Sequence, residues 1–224
     1  MRIDIITLFP EMFDGPFGHS IVKRAQDKGI VEIHTHNLRD WSKNKHKKVD
    51  DTPYAGKGGM LMTPQPIADC IDDLKSQRAY DEVFYTSPDG ELLNQKILNK
   101  YSHNYKNIII LCGHYKGIDE RIREHYITKE FSIGDYVLSG GELAAMILVD
   151  GITRIIPGAI GDEMSALSDS FQDGLVAPPA YTRPRVFNGW EVPEILLSGN
   201  EKLIDEWKYE QAVKRTKERR PKMI

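Results

Sequence analysis

Apolar and polar positions over the first two-thirds of the chain follow two rhythms in turn. Short runs rich in β-branched residues fall at 2–9, 31–38, 82–86 and 107–111, and read as strands. Stretches of helical spacing fall at 20–28, 64–77, 94–103, 117–126 and 142–156. Pro10 stops the first strand, Gly29 ends the first helix, and the strand at 82–86 runs into the turn Ser87-Pro88-Asp89-Gly90. The run at 107–111 (NIIIL) is apolar without interruption, as in a strand of a parallel sheet buried on both faces. The helix at 142–156 is apolar nearly all round, so it belongs in a core or an interface.

Strands and helices in alternation predict an α/β domain with a mostly parallel sheet. The pattern weakens after Ile156. Residues 157–174, with Pro, Gly, Ser and Asp, read as a linker, and 178–184 (PPAYTRP) as extended chain. An amphipathic helix at 201–218 follows the Gly199-Asn200 break. The expected organisation is a main domain at 1–160, a flexible linker at 161–173 and a small helical domain at 174–224.

Composition narrows the class. A chain of 224 residues with 40% apolar and 28% charged side chains can bury a core, which excludes disorder, collagen and a bare coiled coil as whole-chain answers. A net charge of -3 excludes a uniformly basic coat but leaves room for local basic patches. The longest apolar run, 143–149, is far short of the roughly 20 residues a membrane span needs. The opening MRIDIITLFPEMF has no signal-peptide character. Cys70 and Cys112 lack metal-ligand spacing, so neither a disulfide framework nor a metal site is expected. A reduced, soluble, cytoplasmic protein is the expectation, with no membrane partner.

Three segments fit the strand ends where open α/β sheets bind ligands: 85–90, 112–117 and 132–141. Each alone reads as a turn; together they suggest one pocket for a neutral or zwitterionic ligand. No GxGxxG opens a helix and no GxxxxGK[ST] occurs, so dinucleotide and P-loop chemistry lack sequence support. Lys43, Lys45, His46, Lys47 and Lys48 form one basic cluster, and Lys214, Arg215, Lys217, Arg219, Arg220 and Lys222 another. Such runs are solvated faces or phosphate contacts. His34 and His36 share a strand face and read as exposed strand residues rather than metal ligands. Met60, Met62 and Met146 read as filler in a core or interface, and Trp190 and Trp207 as packing anchors of the small domain.

The segments DIITLFPEMF, NKHKKVDDTPYAGKGGM, SPDG, LCGHYKGIDER, SIGDYVLSGGELAAM, DSFQDGL, YTRPRVFNGWEVPEILLSGN and KRTKERRP occur in that order across nearly the whole chain. They strongly resemble the bacterial tRNA (guanine-N1)-methyltransferases of the SPOUT superfamily. The resemblance implies a trefoil-knotted α/β domain followed by a small C-terminal helical domain. It implies an obligate homodimer with active sites at the subunit interface, and S-adenosylmethionine as methyl donor. The implied substrate is the guanosine just 3′ of the anticodon, preceded by another guanosine, in the tRNA anticodon stem-loop. Mg2+ dependence is also suggested, with no local ligand cluster to display it.

By the same resemblance Asp169 matches the general base and Arg154 an arginine near the target base. Alone, they would read as an exposed linker acid and a cation at a helix C-terminus. Tyr85, Ser87, Pro88, Gly90, Gly113, Tyr115, Ile133, Gly134, Tyr136, Leu138, Gly140 and Gly141 match cofactor contacts. Lys43, Lys45, Lys47, Lys48, Ser165, Arg183, Lys214 and Arg215 are the implied tRNA contacts. The chain departs from the family at Lys116, where Glu is usual, at Ala55 and Lys57 in a loop often rich in glycine and proline, at Ala144 and at Ala180. Alternative readings are another knotted RNA methyltransferase, acting on a ribose 2′-hydroxyl or a different base, and a catalytically weakened tRNA-binding relative.

Overall fold

The computed structural model describes residues 1–56, 58–161 and 169–224, which fall into two compact units, Met1–Gly161 and Asp162–Ile224. The first contains β1 (Arg2–Thr7), α1 (Asp14–Phe17), α2 (Ser20–Asp27), β2 (Glu32–Asn37), β3 (Asp50–Asp51), β4 (Leu61–Met62), α3 (Pro64–Gln77), β5 (Glu82–Leu92), α4 (Gln95–Asn104), β6 (Asn107–Cys112), α5 (Glu120–His125), β7 (Lys129–Ser132) and α6 (Glu142–Thr153). The second contains β8 (Val186–Phe187), β9 (Trp190–Glu191) and α7 (Glu201–Arg219).

The main sheet has the order β2-β1-β6-β5-β7, and every pairing in it is parallel. Alternate residues of the central strands feed two separate cores. Ile3 and Ile5 of β1 and Ile108 and Ile110 of β6 face a layer built with Val22 and Ala25 of α2, Leu98 and Tyr101 of α4, and Leu148, Val149 and Ile152 of α6. Ile6, Ile109 and Leu111 face the other layer, with Ile67, Cys70, Ile71 and Leu74 of α3 and Ile122 of α5. The uninterrupted apolarity of 107–111 thus has its expected cause: β6 is a central strand covered by helices on both sides.

Several boundaries differ from the sequence reading. The helix expected at 117–126 starts only at Glu120, because Asp119 caps it by accepting from the Arg121 amide at 3.0 Å. The helix expected to reach Ile156 ends at Thr153. The turn expected at 87–90 lies inside a single strand, β5, as described below. His36 is not a plain exposed residue: its Nε2 donates to the buried Asp4 at 2.8 Å. Asp4 also accepts from Arg2 at 2.7 and 2.9 Å and from the Tyr80 hydroxyl at 2.7 Å.

In the second unit, Val186 pairs with Glu191 and Phe187 with Trp190 in an antiparallel hairpin. Asn188 and Gly189 both have positive φ, 52° and 81°, as the tight turn of such a hairpin requires. Trp190 is 71% exposed, so it does not anchor this unit by packing as the sequence suggested; it stands on the two-residue strand beside Phe187. The α7 helix is capped by Asn200, which accepts from the Leu203 amide at 3.3 Å. Thr216 inside it is fully buried, donating to the Ala212 carbonyl at 2.7 Å and accepting from the Val176 amide at 2.9 Å.

Candidate functional site

The three glycine-bearing loops meet around one cleft of about 530 Å3, within the size range of small-molecule sites. Tyr85, Ser87, Pro88, Gly113, Tyr115, Ile133, Gly134, Tyr136, Leu138, Gly140 and Gly141 all line it, together with Asp89, His114, Lys116, Glu120 and Arg123.

The first wall comes from β5. Thr86 pairs with Phe131 of β7, and Glu91 pairs with the same Phe131, so residues 87–90 loop out between two contacts with one partner. Gly90 closes this excursion. A Cβ there would stand 2.5 Å from the Phe131 amide nitrogen, so only glycine lets the chain return this close to β7. Gly90 therefore serves the wall from behind and does not line the cleft itself.

The second and third walls are sewn together by backbone. The Gly141 amide donates to the Gly113 carbonyl at 2.8 Å, and His114 forms a bridge with Gly140. Tyr115 takes a positive φ of 60°, and the Gly117 amide closes its turn onto the His114 carbonyl at 2.9 Å. Under this junction, Glu142 at the start of α6 is 1% exposed. One of its oxygens accepts from Thr7 Oγ1 at 2.7 Å, and the other lies 2.8 Å from His114 Nε2.

Arg123 of α5 spans the mouth. It donates to Glu130 of β7 at 2.8 and 2.6 Å and to Asp89 at 2.8 Å, and its guanidinium lies 5.7 Å from the Tyr85 ring centre. Arg123, with a bond from Ser87, holds the Asp89 carboxyl down at about 2. Burial pushes the Tyr85 hydroxyl up to about 12, with Arg123 opposing. Burial, aided by Glu142, raises the Cys112 thiol well above its ordinary range. The sequence reading missed both Glu142 and Arg123. An acid at the first position of a helix is a readable signal for Glu142; Arg123 carries no local signal, since its partners lie on two other elements.

The remaining candidates lie on other elements of the two units. Arg154 caps the C-terminus of α6, its amide donating to the Asp150 carbonyl at 3.1 Å. Asp169 belongs to the second unit, where its carbonyl accepts from the Gln172 amide at 3.5 Å. Ser165 and Lys57 lie outside the described residues. In the first basic cluster, Lys43 pairs with Asp69 at 2.7 Å and Lys47 with Asp40 at 3.2 Å, while Lys45 and Lys48 are exposed. Arg183 and Lys214 are exposed, and Arg215 keeps a buried Nε with no hydrogen-bond partner among the described residues. Lys116 is exposed at the cleft, its stem packed over Gly59. Ala55 holds a φ of +55°, a conformation that costs a non-glycine residue strain. Among the described residues, no group of three or more His, Cys, Asp or Glu side chains could hold a metal, and no helix is long and apolar enough to cross a membrane.

A parallel α/β sheet whose strand-end loops close one glycine-rich cleft, without a phosphate cradle, defines an enzyme-type site for a small polar cofactor or substrate. The model of one protein family, tRNA (Guanine-1)-methyltransferase TrmD, matches residues 1–224. The chain belongs to that family, and so to the enzymes that methylate N1 of guanine in tRNA. Curated relatives named tRNA (guanine-N(1)-)-methyltransferase include one from Bacteroides fragilis, 61% identical over 224 residues, which cover 100% of this chain and 99% of the relative. Another, from Flavobacterium johnsoniae, is 60% identical with the same coverage. A third, from Cytophaga hutchinsonii, is 59% identical over 221 residues, 99% of this chain and 94% of its own length.

Proposed function

We propose that the chain transfers a methyl group from S-adenosylmethionine to N1 of the guanosine immediately 3′ of the anticodon, and requires a guanosine before it. The observation that carries this reading is the meeting of the family's three ordered motifs, at 85–90, 112–117 and 132–141, around a single cleft. The lining fits the donor chemically. Ile133, Leu138 and Tyr136 offer apolar walls for a purine, backbone groups at Gly113 and Gly140 can read its edge, and Glu120 suits the cationic amino-acid end.

When bound, the donor supplies an electrophilic methyl carbon on a sulfonium whose departure leaves a neutral sulfide. The remaining difficulty is the nucleophile, because guanine N1 carries a proton. Asp169 takes that proton as the N–C bond forms. Arg154 steadies the negative charge that builds toward the guanine carbonyl oxygen. This reading takes 161–173 as a linker between a methyltransferase domain (1–160) and a tRNA-binding domain (174–224), so that delivery of Asp169 is coupled to RNA binding.

The same reading takes the backbone around the cleft to be tied in a trefoil knot and the working form to be a cytoplasmic homodimer with its sites at the interface. An apolar groove of about 680 Å3 lined by Phe17, Leu98, Leu138, Leu143, Met146 and Ile147 supports a second copy. Leu143 and Ile147 are each about half exposed there. Lys43, Lys45, Lys47, Lys48, Ser165, Arg183, Lys214 and Arg215 are assigned to the tRNA backbone. Mg2+ enters as a requirement to be tested by chelation.

The deciding experiment maps the methylated nucleotide after reaction of transcribed tRNA with labelled donor, beside Asp169→Ala. Label confined to N1 of the stated guanosine, lost in Asp169→Ala and in tRNA lacking the preceding guanosine, is the expected result. Label on a ribose or another base, or none with the native chain, overturns it.

A further inference from the structure

We propose that Arg123 is a positioning residue of the methyl-donor pocket: its guanidinium ties the 87–90 excursion of β5 to β7 and thereby sets the wall that Ser87 and Pro88 present to the donor. The inference rests on reading the cleft as the donor site.

Residues 87–90 have no ladder partner, because β5 leaves β7 after Thr86 and rejoins it at Glu91. Ser87 and Pro88 nevertheless line the cleft, so something other than the sheet must hold them. Ser87 Oγ donates to Asp89 Oδ1, and the Asp89 amide donates back to Ser87 Oγ at 3.3 Å, which makes the excursion one small unit. Its outward tie is Arg123 to Asp89 Oδ2 at 2.8 Å. Arg123 is itself held by two bonds to Glu130, at 2.8 and 2.6 Å, and Glu130 is the β7 residue paired with Tyr85. Glu120 lies further off, 3.7 Å from the same guanidinium. One rigid fork thus touches the Tyr85 ring, the excursion and β7, three parts of the pocket wall.

Two further facts favour positioning over simple stabilisation. Asp89 is 65% exposed, and an ion pair with so exposed a member adds little to global stability. A lysine cannot replace the fork, since one ammonium point cannot keep both bonds to Glu130 while reaching Asp89.

The test is calorimetry of S-adenosylmethionine and S-adenosylhomocysteine on the full-length protein and on Arg123→Gln, Arg123→Lys and Asp89→Asn, with amide hydrogen exchange at 87–91 in the absence of ligand. The donor Kd is expected to rise at least fivefold in Arg123→Gln and Asp89→Asn, and the double variant to be no weaker than Arg123→Gln alone. Arg123→Lys is expected to stay within twofold of Arg123→Gln. Exchange at 87–91 is expected to speed up at least tenfold, and the loss in turnover to fall on donor KM more than on kcat. Donor affinities within twofold of the native chain in both Arg123→Gln and Asp89→Asn, or unchanged exchange, overturn the assignment. Should Arg123→Gln fail to fold, Asp89→Asn carries the same decision. A native chain that binds neither ligand overturns the reading of the cleft instead, while the exchange measurement still judges the tie.

Discussion

Glu142 Oε2 lies 2.8 Å from His114 Nε2, and this contact binds the start of α6 to the loop that follows β6. The other oxygen takes Thr7 Oγ1 from the end of β1, so three separated pieces of chain converge on one buried carboxylate. Truncation to Glu142→Ala strands two donors at once. Leaving buried donors unsatisfied costs about 1–3 kcal/mol each, so a loss of about 3 kcal/mol in chemical denaturation is expected. Glu142→Gln is expected to lose much less, because an amide still accepts from Thr7 and can donate to the other tautomer of His114.

Gly141 and Gly29 offer a paired comparison. A Cβ on Gly141 would lie 1.9 Å from Thr86 Oγ1 and 2.9 Å from the Gly113 amide nitrogen. Gly141→Ala must therefore push two cleft loops apart, and is expected to remove donor binding in calorimetry while costing about 1–3 kcal/mol of stability. Gly29 has a φ of +67° with open space around it. Gly29→Ala is expected to cost only strain, about 1 kcal/mol, with donor affinity unchanged.

Asp4 predicts an acid limb in stability. Burial works against its charge, but bonds from His36, Arg2 and Tyr80 win and hold the carboxyl well below its ordinary 3.8. A depressed folded value means the network contributes fully above about pH 4, and its contribution is lost as pH falls toward the folded value. Urea midpoints measured from pH 6 downward should fall below pH 4, and Asp4→Asn should be less stable at pH 6 with a flatter slope below pH 4.

Cys70 and Cys112 are fully buried, and burial raises both thiols, Cys112 with help from Glu142. A thiolate reagent near pH 8 is expected to find no reactive group in the native chain and two after denaturation. Reaction of either at a rate comparable to a free thiol would contradict the core packing around that cysteine.

Much of the sheet was legible because its strands are locally emphatic. NIIIL at 107–111 announces a central strand, and Pro64–Gln77 has both its boundaries in the sequence. Lys129–Ser132 was not legible as β7: four residues with one large apolar side chain carry too little periodicity, and only the pairing with β5 makes them a strand. The hairpin of the second unit carries a strong turn signal in Asn188-Gly189, but its two-residue strands offer no alternation to accompany it. In the site, glycines and motif residues could be read as a pocket, whereas Arg123 acquires meaning only when α5 brings it beside Asp89 and Glu130. Asp4 behaves alike: three side chains converge on it, and no spacing rule links residue 4 to residues 36 and 80.

The order β2-β1-β6-β5-β7 places the fourth-made strand of this sheet between two earlier ones. During synthesis, β1 with β2 on one side and β5 on the other must wait for Cys112 to leave the ribosome before β6 can join them. Until then each earlier piece presents a bare flank of unsatisfied amides and carbonyls to its surroundings. A nascent chain halted before residue 107 consequently has no sheet centre at all, and this waiting period is when the growing polypeptide most needs shielding from its neighbours.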